Sequence, residues 1–162
     1  MNSIQIVEEF YRSWSFARQM THEFIAGVPE EKWNFTPHPK YSPLSKQFRH
    51  MIWVTGLYRE TLATRNMKAT ASKKSHYSGA LTRAEIQAGL AVQDAALLEI
   101  LESLKNQSLD GYEIQALGMT MGFTEFSHVI LHHESNHHGL WSMYAALGGF
   151  QTPQSWVSSW GL

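Results

Sequence analysis

Residues 132–139 read HHESNHHG, and four of the eight are histidine. From His133 the stretch is H-E-S-N-H, which matches the H-E-x-x-H pattern of zinc proteases. There two histidines one helical turn apart bind the metal and the glutamate acts as general base. Imidazole nitrogen is a good ligand for zinc, nickel, copper and iron. The spacing therefore raises two questions: which of these rings faces a common point, and what else joins them there.

Helical phase sorts the histidines. A helix turns about 100° per residue. With His133 set to zero, Phe126, Val129, Ile130, His137, Leu140 and Tyr144 all fall within about 60° of it. His133 and His137 are thus expected in the middle of an apolar stripe. His128, His132 and His138 fall about 100° or more away, toward solvent or a partner. Two neutral imidazoles at i, i+4 on a buried face need partners for four ring nitrogens. A divalent metal about 2.0–2.1 Å from one nitrogen of each ring satisfies two of them. A pair of hydrogen-bonded core histidines is the plainer alternative.

A third ligand separates the metal readings. Zincins of this type take theirs from downstream. After His138 the chain has no His, Asp or Glu. The extended H-E-x-x-H-x-x-G-x-x-H motif also fails, because Leu140 and Met143 stand at its Gly and last His positions. The search turns upstream. His22 lies about 100° off the apolar stripe of its helix and reads as a solvated flank residue. His38 and His76 sit in turn-rich segments. His50 differs, with Trp53, Val54 and Leu57 within about 60° of its direction, so it is expected on an inward face of a facing helix. His50, His133 and His137 form the candidate metal set.

Four periodic segments must position these rings. The first runs from about Ser3 to Ala26, with Val7, Phe10, Trp14, Ala17, Thr21 and Phe24 on one stripe, and Gly27 and Pro29 end it. The second spans about Ser45 to Asn66, and the following MKATASKKSHYSG reads as solvated and mobile. Thr82 with Glu85 predicts a capping-box start for a third helix reaching about Lys105. The stretch NQSLDGYEIQALGMTMGF has room for one short hairpin or only loop. The fourth helix is expected from Thr124 to about Leu147, stopped by Gly148 and Gly149. The tail carries Trp156 and Trp160 and is expected to pack back on the domain. Four such helices in one 162-residue domain, residues 1–162, predict an all-α four-helix bundle.

Composition excludes several classes. Hydrophobic residues make up 43 % and charged residues 17 %, which is ordinary for a globular domain. The net charge of −1 supplies no basic excess for nucleic-acid binding. No segment reaches the length of a membrane span. The N-terminus carries acids early and no long apolar run, so no signal peptide is expected and a cytoplasmic location is. There is no cysteine, which leaves His, Asp, Glu and water as metal ligands. Six Trp, eight Phe and seven Met suggest a large core, a partner surface or an apolar pocket.

PLSKQFRHMIWV and TEFSHVILHHESNHHGLW, with GVPEEKWNFTP after the first helix, resemble the DinB/YfiT-like family of metal-dependent enzymes. The resemblance covers nearly the whole chain. It implies an up-down-down-up bundle with a long crossover after the second helix, often in a homodimer. It places the family's three metal-binding histidines on His50, His133 and His137, with Gly139 two residues after the last. Leu140 departs from the pattern, since many members carry Gln there. Members of known activity resemble thiol-dependent transferases and isomerases, which implies a low-molecular-weight thiol activated on zinc or nickel. The expected function is therefore S-transfer or hydrolysis on a small electrophile. Trp53 and Trp141, each one turn from a ligand, are candidates to wall a substrate pocket. Glu134 is a candidate general base, with a solvated flank position as the plainer reading. The alternative function is a stress-related binding protein in which a closed, four-coordinate metal only joins two helices. The sequence offers no obvious fourth ligand for such a closed site.

Overall fold

The computed structural model describes residues 2–67 and 81–161. Their order is α1 (Ser3–Gly27), a 3-10 turn (Glu30–Lys32), α2 (Leu44–Thr64), α3 (Arg83–Lys105), β1 (Ile114–Ala116), β2 (Met119–Met121), α4 (Phe123–Gly148) and α5 (Gln154–Trp160). The fold is all-α, with one small hairpin set before α4. The stretch after α2 expected to be solvated and mobile, and His76 within it, lie almost wholly outside the described residues.

Helix boundaries follow local chemistry. Asn2 and Gln5 cap α1 reciprocally, Asn2 Oδ1 accepting from the Gln5 amide at 2.9 Å. The Glu85 carboxylate accepts from the Thr82 amide at 2.8 Å, so the capping box read from the sequence opens α3. Gly149, at φ 71°, ends α4 in the left-handed conformation that glycine adopts without steric cost. At the end of α1, Arg83 donates to the carbonyls of Ile25 and Ala26 at 2.8 and 2.6 Å. A cation there meets carbonyls that have no partner within the helix.

Paired contacts set the helix directions. Phe10, Arg18 and Thr21 of α1 meet Phe123, Glu134 and His138 of α4 in rising order, so the two run parallel. Phe24 and Arg18 meet Phe48 and Thr55, which makes α2 antiparallel to α1. Arg18 and Glu8 meet Asp94 and Lys105, which makes α3 antiparallel to α1 as well. The arrangement is up-down-down-up.

Aromatic rings fill the end of the core near α5. Phe24 stacks on Trp141 at 5.5 Å and on Trp156 at 4.9 Å between centroids. Trp156 is fully buried and its indole donates to the Met20 carbonyl, so the tail does pack back. Trp160 stays 44 % exposed.

The hairpin is anchored at its other end. The amide of Met67 donates to the Gln115 carbonyl at 2.8 Å, and the Gln115 amide to the Arg65 carbonyl at 2.9 Å. The exit of α2 thereby runs along β1. The turn is Leu117–Gly118, at φ 54° and 78°. Two positive φ values mark the primed turn that suits strand twist, for which Asn-Gly is preferred. A leucine in this region costs about 1 kcal/mol.

One arginine joins all four long helices. Arg18, on α1 and 4 % exposed, donates to Thr55 Oγ1 of α2 at 2.6 Å. It pairs with Asp94 of α3 and with Glu134 of α4, each at 3.2 Å. Removing one member of a buried ionic network leaves the others charged and unpaired, at about 3–5 kcal/mol. Arg18→Ala is therefore expected to lower unfolding free energy by about 3–5 kcal/mol in urea titrations. Glu30→Ala, which breaks an exposed pair with Arg83, is expected to change it by less than about 1 kcal/mol.

Candidate metal centre

His50 comes from α2, and His133 and His137 from α4. The two helices run antiparallel, Gln47 meeting Trp141 and Tyr58 meeting Phe126 at either side of the site. This brings His50 opposite the His133–His137 pair. One ligating atom from each of the three lies within 4.8 Å of the other two. His50 Nε2 and His133 Nε2 are 3.1 Å apart. A hydrogen bond between two neutral rings accounts for that pair alone. The buried Nδ1 atoms of His133 and His137 have no protein hydrogen-bond partner. Three imidazoles converging from two helices, with ring nitrogens left over, are a donor set suited to a divalent cation.

Their ionisation suits ligation. Burial, reinforced by the neighbouring His137, His50 and Arg18, holds His133 down to about 3. Burial and His50 hold His137 down to about 4. Both rings are neutral at pH 7, as metal ligands must be.

The phase of α4 differs from the sequence expectation. The buried residues of its middle include Phe126, Ile130, Glu134, His138, Trp141 and Ala145. Their centre lies about 80° round the helix from His133. His133 and His137 are half-buried, at the edge of the buried face rather than its middle. His132 and His128 are exposed, as expected. His138 is not, being 1 % exposed. It sits among Trp141, Trp156 and Trp160, with ring centroids 4.9–5.8 Å away. Burial first, then Arg18, hold it down to about 3.

Glu134 is likewise no solvated flank residue, at 2 % exposure. The Thr21 hydroxyl donates to its Oε1 in a short hydrogen bond. Thr21 Oγ1 is also 2.7 Å from His138 Nε2. A hydroxyl has one proton, and the carboxylate takes it. His138 must then carry its proton on Nε2 and donate to Thr21. Arg18 completes the shell of Glu134 on the α1 side. A general base must reach its substrate's proton. Glu134 instead faces α1 and is enclosed by its partners. Apolar periodicity gives polar side chains no weight as core, which is why the buried positions of Arg18, Glu134 and His138 do not show in the sequence pattern. The available signal was Arg18 itself, a charge four residues after Trp14 on the apolar side of α1.

The tryptophans divide. Trp141 is fully buried, and its indole donates to Gln47 Oε1 at 3.0 Å. It packs against the His137 ring, 5.5 Å away, from within the core. Trp53 is half-buried against the His50 ring, 5.8 Å away. Neither is among the residues that line the described pocket beside His133. That pocket, of about 440 Å³, is walled by Val54, Leu57, Tyr58, Met67, Leu117 and Val129. His133, with His132 and Asn136, gives it a polar edge. The Tyr58 ring stands edge-on to His133 at 5.7 Å. Burial, and then the Glu134 charge, push the Tyr58 phenol well above its ordinary range, so it keeps its proton at neutral pH. His22, expected as a solvated flank residue, is half-buried, with Nε2 3.2 Å from Asp94.

The sequence profile of the DinB superfamily matches residues 13–140, a span that holds all three histidines. The chain belongs to the DinB superfamily. The crystal structure of a DinB-like protein, YjoA from Bacillus subtilis, is similar in fold, with a TM-score of 0.66. The similarity covers 92 % of this chain and 94 % of that one at 19 % identity. No curated relative matches the sequence. No helix among the described residues is long and apolar enough to cross a membrane.

The depressed histidines carry a pH consequence for the metal-free protein. Unfolded, each ring takes a proton near pH 6.5, whereas folded His133, His137 and His138 stay neutral until about pH 3–4. The unfolded state binds more protons in between, so stability falls as pH drops through that window. Urea midpoints of chelator-treated protein are expected to decline from pH 7 to pH 5. In His133→Gln, with one such group fewer, the decline should be shallower.

Proposed function

We propose that this protein is a metal-dependent enzyme in which His50, His133 and His137 hold one divalent ion, zinc or nickel. The observation that carries this reading is the convergence of three imidazoles beside an apolar pocket. The protein donor set at that point stops at three among the described residues. Three protein ligands leave coordination positions for water or substrate, whereas a structural site closes with four. The ion, when bound, supplies Lewis acidity that brings a bound thiol or water toward ionisation at neutral pH.

The chain's own residues do the rest. The pocket walls exclude water from one side of the site and receive a small molecule. Tyr58, which keeps its proton, can donate a hydrogen bond to a bound substrate from the pocket wall. Glu134 is a positioning residue, fixing the backbone turn that carries His133 and His137 through its bonds to α1. The reaction class that fits best is transfer of a low-molecular-weight thiol to a small electrophile, or a related hydrolysis. A homodimer belongs to the same reading, on the family resemblance.

Metal analysis tests the centre. Purified protein is expected to hold close to one divalent ion per chain after dialysis against a weak chelator. His50→Ala and His133→Ala are expected to lose it, and His132→Ala to retain it. Full occupancy in both of the first two variants would end the assignment.

A further inference from the structure

The tip of the hairpin is built against local preference. Leu117 occupies the left-handed region at φ 54°, where Asn or Gly fits without strain. It is also 62 % exposed, so burial does not hold it there. Yet its side chain forms part of the pocket wall that ends at His133. Met67 stands on the same wall, held there by its amide bond to Gln115 of the hairpin. The hairpin and the exit of α2 thus present two apolar side chains to the space beside the histidine cluster. Val54, Leu57 and Val129 face the same space from α2 and α4. No charged side chain stands in that wall among the described residues. A strained, solvent-exposed leucine offers the fold nothing that asparagine would not, but it offers an apolar ligand a surface.

We infer that this pocket receives the apolar tail of the molecule bound at the three-histidine centre, with Leu117 as a specificity-determining residue. The ligand class is a small molecule with a metal-binding head and an alkyl or aryl tail, rather than one that is polar throughout. The inference rests on the proposed metal centre and deepens it. The volume of about 440 Å³ lies in the range of pockets for small molecules.

Alkanethiols of increasing length serve as probes on the cobalt(II)-loaded protein, with binding read from the thiolate-to-cobalt absorption band. Each methylene buried is worth roughly fourfold in affinity. Pentanethiol is therefore expected to bind about fiftyfold more tightly than ethanethiol to the wild type. In Leu117→Asn, which suits the turn, ethanethiol should bind as before and the advantage of pentanethiol should fall by about tenfold. The melting temperature of that variant should be unchanged or higher, which separates lost contact from lost fold. Equal binding of the two thiols to the wild type overturns the pocket assignment and leaves the metal centre standing. So does an undiminished pentanethiol advantage in Leu117→Asn. If neither thiol alters the spectrum of the cobalt-loaded protein, thiol binding at the centre and this inference fail together, while metal occupancy in the histidine variants decides the centre itself.

Discussion

The fold turns on a single buried guanidinium. Arg18 reaches α2, α3 and α4 from α1, through Thr55, Asp94 and Glu134. Planar and permanently charged, guanidinium can serve several acceptors in fixed directions at once. Burying it with two carboxylates is not the cheapest way to fill a core, since apolar side chains of similar volume often do as well. Its effect here is geometric. A purely apolar bundle tolerates small rotations and slides of its helices, whereas directed bonds to a fixed cation restrict them.

That restriction matters because Glu134 is the neighbour of His133. A rotation of α4 that kept its apolar contacts would carry both histidines out of reach of His50. The bonds of Glu134 to Arg18 and Thr21, with His138 held by the same hydroxyl, fix the rotation from the α1 side. Trp141, bonded to Gln47 of α2, fixes it from the other. The histidines can then lie at the edge of the buried face, where a pocket reaches one of them, and still keep their relative positions. A pair in the centre of the core would be held as well but would have no room beside it.

Much of this was legible in the sequence. The four long helices, the capping box at Thr82 and the stop after Gly148 rest on short-range chemistry, in which neighbours decide the outcome. His50 emerged because it shares a face with Val54 and Leu57, and His133 and His137 because they lie one turn apart. The zinc-protease match fails in the sequence too, for want of any His, Asp or Glu after His138. His138 and Glu134 were misread for one reason. Helical phase was judged from apolar residues alone, and the partners that make a polar residue acceptable in a core lie 113 to 117 positions away in the chain.

The sequence by itself determined the helices, the three histidines and the lack of any cysteine ligand, because these depend on residue types and spacings along one strand of chain. Tertiary structure decided what each polar side chain near the site is for. It turned His138 inward among tryptophans, enclosed Glu134 against Arg18, put Trp141 in the core and brought Leu117 and Met67 to the pocket. Each of those outcomes is a contact between elements far apart in sequence. Such contacts are set by which helix faces which, and the Arg18 network holds that arrangement in place.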